Sequence, residues 1–183
     1  MTIADKKPLW NPDRLDVLAM ARAGGELCAT DPIGRYGRLS DAGVPGGTDH
    51  GVVWRVQAEL RGEGARAVPW LYLQANAVLS LTCQRCLQAV ETPVEVDRWF
   101  RFVADEATAE AEDEDSEEDV LALEPRPSLR ELVEDELLME LPLVPMHEAC
   151  PTPLPLPPED PAAEPAEDKP NPFAALASLK RGG

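Results

Sequence analysis

From Gly51 onward, apolar side chains recur at every second position. Val52, Trp54, Val56, Ala58 and Leu60 alternate with Val53, Arg55, Gln57 and Glu59. That period belongs to a pleated strand with one buried face. Gly62-Glu63-Gly64 breaks the run as a turn. Leu71, Leu73, Ala75, Ala77, Leu79 and Leu81 then share one face of a second strand, from Pro69 to Leu81. After a tight turn at Cys83-Gln84-Arg85-Cys86, Val94, Val96, Arg98, Phe100 and Phe102 mark a third, with Val90 leading in. Three long strands with short joins predict an antiparallel meander. Such a sheet has one apolar face, and something else in the chain must cover it.

Two segments carry helical spacing. Asn11-Pro12 reads as a helix start, with Asn11 as N-cap and Pro12 in the first turn. Leu15, Leu18 and Ala19 follow, and Gly24-Gly25 ends the helix. Ser128-Leu129-Arg130-Glu131 is a capping box. Leu129, Leu132, Val133, Leu137 and Leu141 lie on one stripe behind it, stopped by Pro142 and Pro145. A short strand near Leu27, a helical turn after it, and a short strand at Val120–Leu123 complete the reading. The predicted class is α+β: an antiparallel meander packed by one long and one N-terminal helix.

Charge separates the chain into regions. The formal net charge is -17, which repels a bare phosphate backbone. Residues 1–104 balance, with 12 acids and 12 bases, whereas residues 105–119 hold 10 acids and no base. A block of like charges is read as a solvated, flexible acidic loop within a 1–150 core domain. Residues 151–183 contain nine Pro and are expected to be a disordered tail. The tail ends in a short motif at 171–180 that could start a helix at Asn171-Pro172, with Phe173, Leu176 and Leu179 on one side. The first twelve residues lack an apolar secretory core, and no stretch has the roughly 18 apolar residues of a membrane span. A cytoplasmic location is expected, with no membrane partner.

The residues able to do chemistry are few. Cys83 and Cys86 have the spacing that lets two sulfurs reach one tetrahedral metal. His147 and Cys150 repeat it after the long helix, so the four form a candidate structural zinc set. The alternative is a pair of reduced cysteines in a turn beside an unrelated His and Cys. Cys28 is left over and is expected in the core. A thiol- or zinc-based redox sensor is the competing function, disfavoured because redox motifs of this spacing sit at a helix N-terminus, whereas strands flank Cys83 and Cys86. His50 lies in a Gly/Asp-rich loop and reads as solvated. No phosphate-binding loop or nucleophile elbow is present. Glu134, Asp135, Glu136 and Glu140 read as the wet face of a helix. The reading is binding without catalysis and without a small-molecule substrate.

Arg35, Arg38, Arg55, Arg61, Arg66, Arg85, Arg98 and Arg101 share the neutral region with Trp54, Trp70, Tyr72 and Trp99. Arginine beside aromatics suits RNA, and Arg35, Arg38 and Arg85 are candidate RNA contacts. The competing reading, which is favoured, puts the aromatics in the core and the arginines on a solvated strand face.

Several of these pieces together resemble a known family. They are Cys83-Gln84-Arg85-Cys86-Leu87, the strand Asp97 to Val103, the helix Leu129 through Leu143, then Val144-Pro145-Met146-His147 with Cys150, and the tail Asn171-Pro172-Phe173 through Leu179-Lys180. Over roughly residues 10–180 the chain resembles the YceD family, the large ribosomal RNA subunit accumulation proteins. The resemblance implies a non-enzymatic role in making, processing or stabilising large-subunit ribosomal RNA. Its partners would be that RNA or ribosome assembly proteins. It also implies that Cys83, Cys86 and Cys150 form the structural centre and that Phe173, Leu176, Leu179 and Lys180 lie in a docking peptide.

Overall fold

The computed structural model describes residues 10–47 and 50–151. Apart from Pro151, the expected tail and its 171–180 motif lie outside the described residues. The elements are α1 (Val17–Arg22), β1 (Glu26–Asp31), a 3-10 turn (Ile33–Arg35), α2 (Gly37–Ala42), β2 (Val52–Arg61), a second 3-10 turn (Gly64–Arg66), β3 (Val68–Thr82), β4 (Ala89–Val103), α3 (Glu106–Asp113), β5 (Asp119–Ala122) and α4 (Leu129–Met139).

The period-two runs become β2, β3 and β4, and the class is α+β as expected. One sheet holds all five strands in the order β1-β2-β3-β4-β5. β1 to β4 pair antiparallel, and β5 joins β4 parallel at Phe100↔Asp119 through Val103↔Ala122. The β3–β4 ladder runs from Trp70↔Arg101 to Thr82↔Ala89. Its register sends Leu71, Leu73, Ala75, Ala77, Leu79 and Leu81 to the same face as Val94, Val96, Phe100 and Phe102, where all are buried. Leu15, Val17 and Met20 pack there with Leu129, Val133 and Leu137 of α4. Each fully buried large side chain contributes on the order of 2 kcal/mol, so this one-sided core is the main source of stability.

The N-terminal helix starts later than Asn11-Pro12. Asn11 caps only a turn, its Oδ1 accepting from the Asp13 amide at 3.0 Å. The helix cap is Asp16, which accepts from the Ala19 amide at 2.9 Å. The intervening chain is held by α4: the Leu129 amide donates to the Pro12 carbonyl at 2.7 Å, and the Leu15 amide donates to the Pro127 carbonyl at 2.9 Å. These two bonds pin residues 12–15 in a non-helical path and satisfy a donor that the start of α4 would otherwise leave open.

The acidic segment 105–119 is not a loop throughout. Asp105 caps α3, accepting from the Thr108 amide and hydroxyl, each at 2.9 Å. Ala109 is buried, and Arg101 reaches Glu112 at 2.6 Å and the Ser116 hydroxyl at 2.9 Å. The physical reason lies in the composition of Glu106–Asp113, where alanine and glutamate alternate as good helix formers. An acid at the helix start also suits the dipole. The like charges that argue for a solvated loop are spread around a helix and partly neutralised by Arg101.

Cys28 is exposed rather than buried. It lies on β1, an edge strand, with its side chain directed to the solvent side. Glu134 and Glu136 depart further from expectation: they are 8% and 4% exposed, not a wet helix face. Glu134 accepts from the Arg38 and Leu39 amides at 2.7 and 3.2 Å and from the Arg38 guanidinium at 3.0 Å. Glu136 accepts from Arg98 at 2.8 Å. Burial pushes the Glu136 carboxyl above its usual range, and Arg98 draws it partly back. Helical spacing turns Glu134 and Glu136 towards the protein because both lie next to the apolar stripe, and partners from α2 and β4 meet them there.

Asp31 ties the N-terminal half to the sheet. Its carboxylate accepts from the Trp54 indole at 2.9 Å and from the Tyr36 hydroxyl at 3.0 Å, with Arg35 and Arg130 each at 3.4 Å. Burial acts to raise this carboxyl, but the donors and the two arginines prevail and hold it below the usual carboxylate range. A lowered folded pKa means a contribution fully present above the unfolded value, about pH 4, and lost as pH falls through the folded pKa. Asp31→Ala is expected to reduce stability by about 2–3 kcal/mol at pH 7, because it orphans a buried indole and phenol. The same variant should lose part of the acid limb of the wild-type stability profile. Urea unfolding at pH 7 and pH 3 measures both.

Candidate metal centre

The β3–β4 connection is a compact knuckle. The Cys83 amide donates to the Gln88 carbonyl at 2.8 Å, and the Leu87 amide donates to the Cys83 carbonyl at 2.9 Å. Leu87 takes the left-handed conformation, with φ of 60°. The chain beyond α4 returns to this knuckle. The Gln84 amide donates to the Pro145 carbonyl at 2.9 Å, and the His147 amide faces the Cys83 sulfur at 3.5 Å. The Cys86 sulfur lies 3.4 Å from His147 Nδ1.

The ligand atoms of Cys83, Cys86, His147 and Cys150 all lie within 4.8 Å of one another. Tetrahedral zinc, with Zn–S near 2.3 Å, sets neighbouring sulfurs about 3.8 Å apart, so the four need only a slight contraction. Three thiols and one imidazole form a closed structural donor set, and four protein ligands leave no coordination position for substrate. Cys83 is fully buried, while Cys86, His147 and Cys150 are half-buried.

Local electrostatics favour a thiolate at Cys83. Burial pushes this thiol up, but the backbone amides of Cys86, His147 and Arg85 point at its sulfur and bring it down to about 5. Cys150 moves the opposite way, raised first by burial and then by the neighbouring Cys86 and Cys83 sulfurs. Crowded thiols that resist losing all their protons together are a natural cation site, because a divalent ion removes the repulsion between them.

Of the candidate RNA contacts, only Arg85 belongs to this centre; Arg35 and Arg38 lie on the first 3-10 turn and α2 and are engaged by acidic partners. Arg35 pairs with Asp31, and Arg38 pairs with Glu134 and with Asp135 at 2.5 Å. Arg85 stands exposed on the knuckle, its nearest partner the Met146 sulfur at 4.0 Å. His50 pairs with Glu91 at 3.3 Å. The expected burial of the aromatics holds for Trp54 alone. Trp70, Tyr72 and Trp99 stand half-buried on the sheet face opposite the core. Tyr72 stacks on Trp99 with ring centres 4.7 Å apart, and the Arg61 guanidinium lies 3.9 Å from Trp99 and 4.3 Å from Trp70. The signal in the sequence was their parity: Trp70 and Tyr72 alternate with the core leucines Leu71 and Leu73, and Trp99 lies beside the core residue Phe100. Phe173, Leu176, Leu179 and Lys180 lie outside the described residues.

A one-sided α+β sheet whose longest hairpin turn and post-helical segment meet in a Cys3His cluster is the class of protein that the fold and the cluster define. The family model described as large ribosomal RNA subunit accumulation protein YceD matches residues 71–180, more than half of the chain, and the protein belongs to that family. No curated protein and no solved structure matches it significantly. The matched segment begins in β3 and includes all four residues of the cluster. Cys83→Ala is expected to release the return segment from the knuckle. Hydrogen exchange at the His147 and Gln84 amides should rise at least tenfold, while the β2–β3 amides remain protected.

Proposed function

We propose that the protein is a non-enzymatic accessory factor acting in the cytoplasm on the synthesis, processing or stability of large-subunit ribosomal RNA. The observation that carries this reading is the family match across the knuckle, α4 and the return segment. The closed donor set supports binding rather than chemistry, since it offers no site for a substrate. Cells lacking the protein should show a lower ratio of large- to small-subunit ribosomal RNA. An unchanged ratio would sink the proposal.

In this reading zinc fills the Cys83, Cys86, His147 and Cys150 set and clips the β3–β4 knuckle to the segment after α4. The clip fixes where the chain beyond Cys150 leaves the domain. Residues 171–180, with Phe173, Leu176, Leu179 and Lys180, then serve as a docking peptide for a ribosomal or assembly protein. Elemental analysis should find one zinc per chain, reduced to a tenth or less in Cys86→Ser, and chelation should lower the melting temperature by several degrees. A metal-free chain with one fast-reacting thiol would favour redox sensing instead. Deleting residues 170–183 should abolish co-purification of the partner and leave the melting temperature nearly unchanged.

A second reading, direct contact with single-stranded RNA, is favoured by Trp70, Tyr72, Trp99 and Arg61 on the open sheet face. Bases stack on such rings. The charge of -17 works against phosphate attraction, so stacking would have to supply most of the affinity. Titrating a short single-stranded RNA should quench tryptophan emission in the wild type, with the quenching greatly reduced in Trp99→Ala. Duplex RNA should leave the emission unchanged.

A further inference from the structure

Among the described residues, the five most exposed large apolar side chains are Leu143 at 100%, Leu87 at 75%, Met139 at 64%, Val144 and Met146. All lie on the knuckle, at the end of α4 or on the return segment. The Gln84–Pro145 hydrogen bond and the Arg85–Met146 contact join these pieces into one end of the molecule. Beside them runs a groove of about 320 Å³ whose apolar lining is Val90, Pro93, Pro142, Val144, Pro145 and Met146. Exposed apolar groups scattered singly need no explanation, but a contiguous patch does.

Leu87 sharpens the point. It holds a left-handed backbone at φ 60°, a conformation that glycine adopts freely and leucine resists. Its side chain adds nothing to the core. A glycine would serve the turn better, so the leucine at this position is spent on something outside the fold.

The charges around the patch say what kind of partner fits. Glu91 lines the groove but is held by His50 and Ser80, whereas Glu140 and Glu148 are exposed along the return segment. Residues 131–151 contain no Lys or Arg, and Arg85 is the one base between residues 67 and 97. An acidic rim around an apolar groove complements a basic segment carrying spaced apolar side chains, and repels a phosphate backbone.

We infer that the knuckle and return segment form a docking surface for a Lys/Arg-rich, apolar-bearing segment of a large-subunit protein. The segment's aliphatic side chains fill the Val90–Met146 groove and pack on Leu87 and Leu143, and its cations meet Glu140 and Glu148. The large-subunit reading enters only in the choice of partner. It is tested separately by the ribosomal RNA ratio, so the two can fail independently.

A photoreactive phenylalanine analogue replaces Leu143 in the full chain as purified. The chain is then mixed with purified large-subunit proteins freed of RNA and, separately, with deproteinised large-subunit RNA. The expected result is a cross-link to a peptide rich in Lys and Arg, absent when the label sits at Val53 on the opposite sheet face. Leu87→Gly should lower the cross-link yield at least fivefold while the melting temperature is unchanged or raised. Glu140→Gln with Glu148→Gln should lower the yield at least threefold, with the melting temperature unchanged. Cross-links to RNA alone, to a second copy or to residues 152–183 of the chain itself would overturn the inference. So would no cross-link, or a yield indifferent to Leu87→Gly.

Discussion

The pairing of β3 with β4 is the constraint on which the rest of the structure depends. Two fifteen-residue strands lie antiparallel, and their register places leucine, valine and phenylalanine side chains on one face along the whole ladder. A slip of one residue would turn every one of those side chains to solvent. The same register delivers Cys83 and Cys86 to the end of the hairpin. The long ladder thus specifies the core and aims the knuckle through one set of hydrogen bonds.

The helices are held to this sheet by buried charge as well as by apolar contact. Glu134 closes the start of α2 through two backbone amides and the Arg38 guanidinium. Glu136 meets Arg98 of β4. Asp31 gathers Trp54, Tyr36, Arg35 and Arg130. Every buried side-chain polar atom among the described residues has a partner. Such groups cost much to desolvate, and they are tolerated here because each donor and acceptor is met. They also fix which residues of α4 face α2 and β4, through Glu134 and Glu136.

Strands β2 to β4 and α4 were legible because each repeats its period over ten or more residues. The Ser128 half of the capping box also appears, with Ser128 accepting from the Glu131 amide at 3.2 Å. The start of α1 was misread because Asn11-Pro12 is a sound local cap, overridden by two hydrogen bonds to a segment more than 100 residues away. The charge of the segment hides helix α3 in the sequence, because the cation that relieves it, Arg101, comes from β4. Hydrophobicity alone points Trp70, Tyr72 and Trp99 to the core, whereas their parity along the strands places them on the outer face.

By itself, the sequence determined the strand periods, the long helix, the apolar face of each and the paired two-residue spacings of Cys83-x-x-Cys86 and His147-x-x-Cys150. These are local properties, set by the pleat, the helical repeat and the reach of neighbouring side chains. Only the tertiary structure decided that the two half-sites, about sixty residues apart, lie within 4.8 Å of one another. It also decided that two glutamates of α4 are buried, that β5 runs parallel to β4, and that the knuckle and the segment after α4 share one end of the fold. Those outcomes depend on where distant segments meet. No period or spacing along the chain encodes such a meeting until the sheet has fixed the direction of every strand.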